Sequence, residues 1–161
     1  KNFYISSIFV ILIFGLDRIS KIYVIYRSDN SLVSEIFSSK FLNISLFWNE
    51  GIAFGLLSFK QDFLQNFLTF IILIVIIIIF IMMIKSNGGK KYGLIMIFGG
   101  AIGNLYDRVF YKAVPDFIDF HIGNFHWFIF NVSDIFISMG IILMIILEIV
   151  GKPNNKIDEK A

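Results

Sequence analysis

Asp116 and Asp134 stand in a chain that has little room for charge. Asp116 follows Val114-Pro115, just past the third apolar segment, and Asp134 closes Phe130-Asn131-Val132-Ser133-Asp134 at the mouth of the fourth. Their neighbours are mostly Ile, Phe and Leu. A carboxylate within hydrocarbon costs roughly 2.5–3.5 kcal/mol on insertion scales, so such residues face a partner, a cavity or a reaction. Two carboxyls that meet across helices share one proton, the basis of aspartyl protease chemistry. One, ionised, takes a proton from a water held between the pair; the other, protonated, donates to the scissile carbonyl, and the two titrate as a unit.

Other polar residues fall at spacings that could serve such a pair. Gly100, Asn104 and Arg108 lie at i, i+4, i+8 and share a helix face. Gly99 and Gly103 allow another helix or a ligand close to the backbone; taken alone, they are packing positions. An amide and a guanidinium on that stripe could orient carboxylates or hold a lipid phosphate. Asp107-Arg108 is expected to form an interfacial ion pair that stops the helix. Proline biases Val114 toward an extended conformation, so Asp116 opens a new element, and Asp119 is expected to face headgroups. Asn131 is an N-cap type residue, with Asp134 and Ser138 on its face. The dipole at the start of a helix favours a carboxylate at 134, so capping alone would also account for it. Asp17 and Lys21, at i and i+4, have ion-pair geometry and are expected to be a structural pair within the bundle. Ser20-Lys21 does not suit a Ser–Lys protease, because adjacent helical residues point about 100° apart. No G-x-S-x-G elbow occurs.

Composition sets the solvent. Of 161 residues, 57% are hydrophobic and 20 are Phe, with a mean hydropathy of +0.80. A soluble domain of this size could not hide so much apolar surface, so a bilayer is expected. The net charge of +2 comes with no basic patch interleaved with aromatics, so nucleic acid is not an expected partner. Cysteine is absent, which removes disulfides, thiol catalysis and Cys-ligated metals. His121 and His126 are the only imidazoles, and no HExxH-like spacing exists, so neither a metal nor another cofactor is expected.

Four stretches must position the acids: residues 3–26, 63–84, 92–110 and 132–150. Each approaches the ~20 helical residues that a ~30 Å hydrocarbon core demands. Lys85, Lys90 and Lys91 between the second and third, Lys152, Lys156 and Lys160 in the tail, and Lys1 all fall on one side of a four-span chain. That side is expected to be cytoplasmic, with both termini inside and the two acids toward the outer leaflet. Arg27, Lys40, Lys60, Arg108 and Lys112 lie opposite, over longer loops. The stretch 27–60 is too apolar for a loose linker. Residues 32–37 suit a short interfacial helix, Phe41-Leu42-Asn43-Ile44-Ser45-Leu46 alternates as strands do, and Asn49-Glu50-Gly51 has turn chemistry. The expected fold is all-α: four transmembrane helices in a single domain over 1–161, with a small β-rich extracytoplasmic platform and a disordered tail at 153–161. The opening Lys1 leaves room for a native start upstream. The first segment lacks a small-x-small cleavage site and runs too long for a removable signal peptide.

These motifs match a family. Asn49-Glu50-Gly51-Ile52-Ala53-Phe54-Gly55, Gly99-Gly100-Ala101-Ile102-Gly103-Asn104-Leu105-Tyr106-Asp107-Arg108, Val114-Pro115-Asp116-Phe117-Ile118-Asp119-Phe120 and Phe130-Asn131-Val132-Ser133-Asp134 together resemble lipoprotein signal peptidase, the bacterial signal peptidase II. Asp17-Arg18-Ile19-Ser20-Lys21 is similar to that family's Asp-Gln-x-Thr-Lys. The motifs occur in family order across nearly the whole chain. The resemblance implies a multi-pass aspartyl protease of the bacterial inner membrane that cleaves diacylglyceryl-modified prolipoproteins before the lipidated cysteine; the sequence shows no signature of homo-oligomerisation, so a monomer is expected. By motif position, Asp116 and Asp134 correspond to the catalytic pair. Asn49, Asn104, Arg108 and Asn131, with Gly51 beside Asn49, correspond to substrate-binding positions, and Asp17 and Lys21 to the first-helix polar pair. Arg18 stands where Gln is usual, Pro115 where Val or Ile is, and Ser133 where Ala is; Ser133 is expected to add a hydroxyl beside Asp134. Lipids and prolipoproteins are the implied partners. Two other classes use the same acids: an ion- or proton-conducting bundle, and a non-catalytic scaffold in which Asn, Asp and Arg glue helices together.

Overall fold

The computed structural model describes residues 2–30, 35–51 and 61–150. Four helices, α1 (Asn2–Asp29), α2 (Gln61–Lys85), α3 (Gly88–Tyr111) and α4 (Val132–Val150), alternate with two pairs of strands, β1 (Glu35–Ser38) with β2 (Leu42–Asn49) and β3 (Val114–Ile122) with β4 (Phe125–Phe130). The strands form one antiparallel sheet in the order β1-β2-β3-β4. Residues 31–34 and 52–60 of the expected platform, with the first part of the expected helix at 32–37, and the tail at 153–161 lie outside the described residues.

The sheet departs from expectation in two ways. Residues 35–37, expected to be helical, belong to β1. Half of the sheet comes from residues 114–130, beyond the expected platform, because the middle strands β2 and β3 pair across the whole of α2 and α3. Pro115 is tolerated in β3 because β4 pairs only from Ile118 onward, leaving Pro115 with a single neighbour across from Trp48.

Helix α3 is the hub, packing against α1, α2 and α4. Small residues bring it close to its neighbours. A Cβ added at Gly140 would lie 2.6 Å from the Gly93 carbonyl oxygen, and one at Gly103 would collide with Ser133 Oγ and lie 2.7 Å from Asp17 Oδ2. Ile13, Met83, Leu94 and Ile95 fill the space between α1, α2 and α3.

Burial is inverted relative to a water-soluble fold. The largest fully buried side chains include Lys21, Asp17, Asp107 and Asn131, while Ile8, Leu12, Leu16 and Ile19 of α1 and Phe70, Val75 and Ile78 of α2 face outward. Apolar surface on this scale suits hydrocarbon, with charge folded inward. Phe63–Lys85 and Val132–Val150 are each long and apolar enough to cross a membrane.

Candidate active site

Four residues of the chain's interior carry charge into the junction of α1, α3 and α4. Asp17 contacts Lys21 Nζ at 2.9 Å and Arg18 Nη2 at 2.7 Å. Asp107 contacts Arg18 Nη1 at 2.6 Å and Lys21 Nζ at 2.7 Å. Two cations and two anions thus cancel, which lets Asp17, Lys21 and Asp107 remain wholly buried. Asp17 also accepts from the Ser133 amide at 3.0 Å, satisfying one of the free N–H groups in the first turn of α4. The Arg18 guanidinium lies 4.7 Å from the Tyr106 ring centroid.

The network leads from these charges to the two acids. Lys21 Nζ donates to Asn104 Oδ1 at 2.9 Å, and Asn104 Nδ2 donates to Asp134 Oδ1 at 2.8 Å. Lys21 therefore fixes which way the Asn104 amide faces, and Asn104 fixes one oxygen of Asp134. Asn131 begins α4 and holds Asp134 reciprocally: its backbone N–H donates to Asp134 Oδ2 at 3.1 Å, and its Oδ1 accepts from the Asp134 N–H at 3.2 Å. This is capping-box logic. The remaining donor of that side chain, Asn131 Nδ2, reaches Asp116 Oδ1 at 2.6 Å. Asn49, at the end of β2, donates to the other oxygen, Asp116 Oδ2, at 2.9 Å.

Asp116 and Asp134 are thus tied to the same residue, one from β3 and one from the first turn of α4. Burial pushes the Asp116 carboxyl above the ordinary carboxylate range; the amide donors of Asn49 and Asn131 pull it down, the like charge of Asp134 pushes it up, and Lys21 pulls it down. Arg108, one turn along α3 from Asn104, interacts electrostatically with Asp116, Asp134 and Asp107. Its guanidinium lies over Gly51: a Cβ there would be 2.8 Å from Nη1. Gly51 also has φ +78, so a side chain at 51 is opposed by both backbone and space. Its N–H donates to Asn49 Oδ1 at 2.8 Å, which turns the Asn49 Nδ2 toward Asp116. Beside Asp134 opens an apolar cleft of about 480 Å³ between α4 and the hairpin, lined by Phe120, Trp127, Phe128, Phe130, Ile135, Ser138, Met139 and Ile142.

All ten residues singled out from the sequence are among those described. Asp116, Asp134, Asn49, Asn104 and Asn131 join one hydrogen-bonded set, and Gly51 and Arg108 flank it. Asp17 and Lys21 pair as expected. Three expectations need correction. Asp107 does not pair with Arg108 at the helix end; its carboxylate turns inward to Arg18 and Lys21, whose charges the bundle has to neutralise. Asp119 does not face headgroups; it is buried and contacts His126 Nδ1 at 2.9 Å. The Ser133 hydroxyl does not sit beside Asp134; it packs against Gly103. Arg18, noted from the sequence only as standing where Gln is usual, had no expected role: its signal was a second cation adjacent to Asp17 within an apolar segment.

Comparison with known proteins came out consistently. The family model described as Signal peptidase (SPase) II matches residues 9–150. The chain is 43% identical over 160 residues to a lipoprotein signal peptidase of Pelagibacter ubique (strain HTCC1062), covering 99% of this chain and 96% of that one. It is 36% identical over 151 residues to a lipoprotein signal peptidase of Anaplasma marginale (strain Florida), covering 92% and 86%. Among solved structures, a bacterial membrane enzyme determined by the in meso method at 1.9 Å resolution is similar with a TM-score of 0.77 and 29% identity, covering 91% of this chain and 94% of that one. Another, at 2.3 Å, gives a TM-score of 0.73 at 29% identity, covering 97% and 93%.

Proposed function

The chain belongs to the signal peptidase II family, and on that footing we propose that it is a four-span aspartyl endopeptidase of the bacterial inner membrane. It removes the signal peptide from diacylglyceryl-modified prolipoproteins, cutting just before the lipidated cysteine. Asp116 and Asp134 are the catalytic pair. The observation that carries this reading is that one residue, Asn131, donates to both carboxyls, by its Nδ2 and its backbone N–H.

In the resting site the pair shares one proton, and burial favours the neutral form of Asp116. With that proton, the charges of Asp134 and Arg108 cancel. Asp134 takes a proton from the attacking water while Asp116 donates to the scissile carbonyl; on collapse Asp134 gives its proton to the leaving amine nitrogen and Asp116 recovers one from the gem-diol hydroxyl, which restores the starting state. General acid–base assistance of this kind contributes typically about 10²–10⁴-fold. Asn49, Asn104 and Asn131 hold the carboxyls in place, and amides serve that task because they need not change charge when the proton moves. The apolar cleft beside Asp134 takes the substrate's signal segment, and Arg108 and Gly51 bound the site on the side where the lipid headgroup approaches.

The acids sit in a strand and in the first turn of a helix, next to the sheet, rather than midway along a helix. That placement supports chemistry at the outer leaflet over ion conduction, which would place acids near the midplane. The test is to incubate the purified protein with a lipidated prolipoprotein and with its unlipidated form, and to read the products by mass spectrometry. Release of a fragment that begins at the lipidated cysteine, from the lipidated form only, is expected. Ion flux in liposomes with no cleavage would replace the proposal with the conducting bundle.

A further inference from the structure

The tip of the β3–β4 hairpin carries chemistry that the proposed reaction does not use. His121 and His126 lie directly opposite each other in the strand register. Their rings stack, with centroids 5.0 Å apart and planes within 22°. Asp119 precedes His121 by two residues and so projects on the same face of β3. The connection is a tight turn through Gly123, whose φ of +59 suits glycine, with Ile122 and Phe125 paired across it. A short hairpin of this kind fixes the positions of the two imidazoles before any ligand arrives.

We propose that Asp119, His121 and His126 form a binding site for one divalent transition-metal ion of the Zn²⁺ type. One ligand atom from each of the three lies within 4.8 Å of the other two. A tetrahedral Zn²⁺ with bonds near 2.0–2.1 Å holds its donors about 3.3 Å apart, so the stacked imidazoles turn out of their stack for their nitrogens to converge on one ion. Two imidazoles and a carboxylate suit zinc, with water in the remaining position. A second observation points the same way. His121 Nδ1 is buried and has no hydrogen-bond partner among the described residues, an arrangement that costs free energy unless something binds there. Sequence spacing concealed the set, since it is assembled by cross-strand pairing rather than by a helical motif. The hairpin's two roots carry Asp116 and Asn131, so a metal at the tip ties together the strands that present them.

The site is tested on the full-length protein, chelator-stripped, without a histidine tag and in detergent, by calorimetric titration with ZnCl₂. One Zn²⁺ per chain is expected, together with a raised thermal midpoint. His121→Ala, His126→Ala and Asp119→Asn should each weaken binding by about ten-fold or more, given that even outer-shell partners of metal sites act on that scale. Size-exclusion profiles matching the unmodified protein establish that the variants are folded. Co²⁺ in place of Zn²⁺ should give visible absorption that is lost in the histidine variants. No saturable binding up to millimolar Zn²⁺, or binding of equal affinity in all three variants, would overturn the assignment. Neither outcome depends on whether the protein cleaves prolipoproteins.

Discussion

Asn131 is the residue on which both acids depend. It opens α4, anchors Asp134 through its backbone and side chain, and spends its remaining donor on Asp116 at 2.6 Å. Asn131→Ala removes the cap, worth typically about 1 kcal/mol, and also a bond to a carboxyl, worth about 1.5–3 kcal/mol. The expected outcome is a ten- to hundred-fold fall in kcat for prolipoprotein cleavage with a modest loss of thermal stability; unchanged kcat would remove Asn131 from the positioning role. A second prediction concerns Asp116 itself. Burial holds its folded-state carboxyl above the unfolded value, so the stability it confers is fully present below the unfolded carboxylate range and is lost as pH rises through the higher folded value. The melting midpoint of the wild type should therefore fall relative to that of Asp116→Asn as pH rises above about 4, where model carboxylates titrate. Parallel midpoints across that range would contradict the buried setting.

Among the elements, the α1–α3 contact is where charge had to be neutralised before a site could be built. Asp17, Arg18, Lys21 and Asp107 balance, and from that balance Lys21 extends to Asn104 and so to Asp134. Asp107→Asn leaves a cation uncompensated in the interior. Breaking a buried pair in this way costs about 3–5 kcal/mol, so a large drop in thermal midpoint is expected, with aggregation in detergent; a variant of unaltered stability would show that the cluster is not the support described. The pairing inside this cluster was only half legible. Asp17 and Lys21 are neighbours on one helix, and spacing sufficed to find them. Asp107 lies on another helix, and its choice of Arg18 over the adjacent Arg108 depends on how α3 is rotated, which local sequence does not report. The hairpin was hidden for a related reason. Phe125-His126-Trp127-Phe128-Ile129-Phe130 is nearly all apolar, without the alternation that marks a half-exposed strand, because its side chains are exposed yet apolar.

For the whole molecule, the chain repeats one plan, helix, two strands, helix, and joins both strand pairs in a single sheet. The four helices were legible because apolar length is a strong signal, and their observed bounds fall close to the expected ones; α3 starts four residues earlier than expected, at Gly88. The sheet was legible only as to β2, since pairing of β2 with β3 is a non-local event and β1 was expected to be helical. The motif residues were legible because they are sparse polar islands in an apolar chain. The orientation expected from lysine placement has a direct test, since the chain has no cysteine. Asn87, before α3, and Asn124, at the hairpin tip, are both exposed. In intact spheroplasts a membrane-impermeant maleimide should label Asn124→Cys, and should label Asn87→Cys only after permeabilisation. The reverse pattern would invert the topology and place the acids at the inner leaflet.

The central claim is that the carboxyls of Asp116 and Asp134 act together on the peptide bond. It is tested most directly by purifying Asp116→Asn, Asp134→Asn and the double variant, verifying that each elutes and melts as a folded protein, and measuring single-turnover cleavage of a lipidated prolipoprotein. Each single change should reduce the rate by about 10²–10⁴-fold, and the double variant should be no slower than the worse single one, as expected for groups that act as a unit. A folded single variant that cleaves at the wild-type rate would contradict the account.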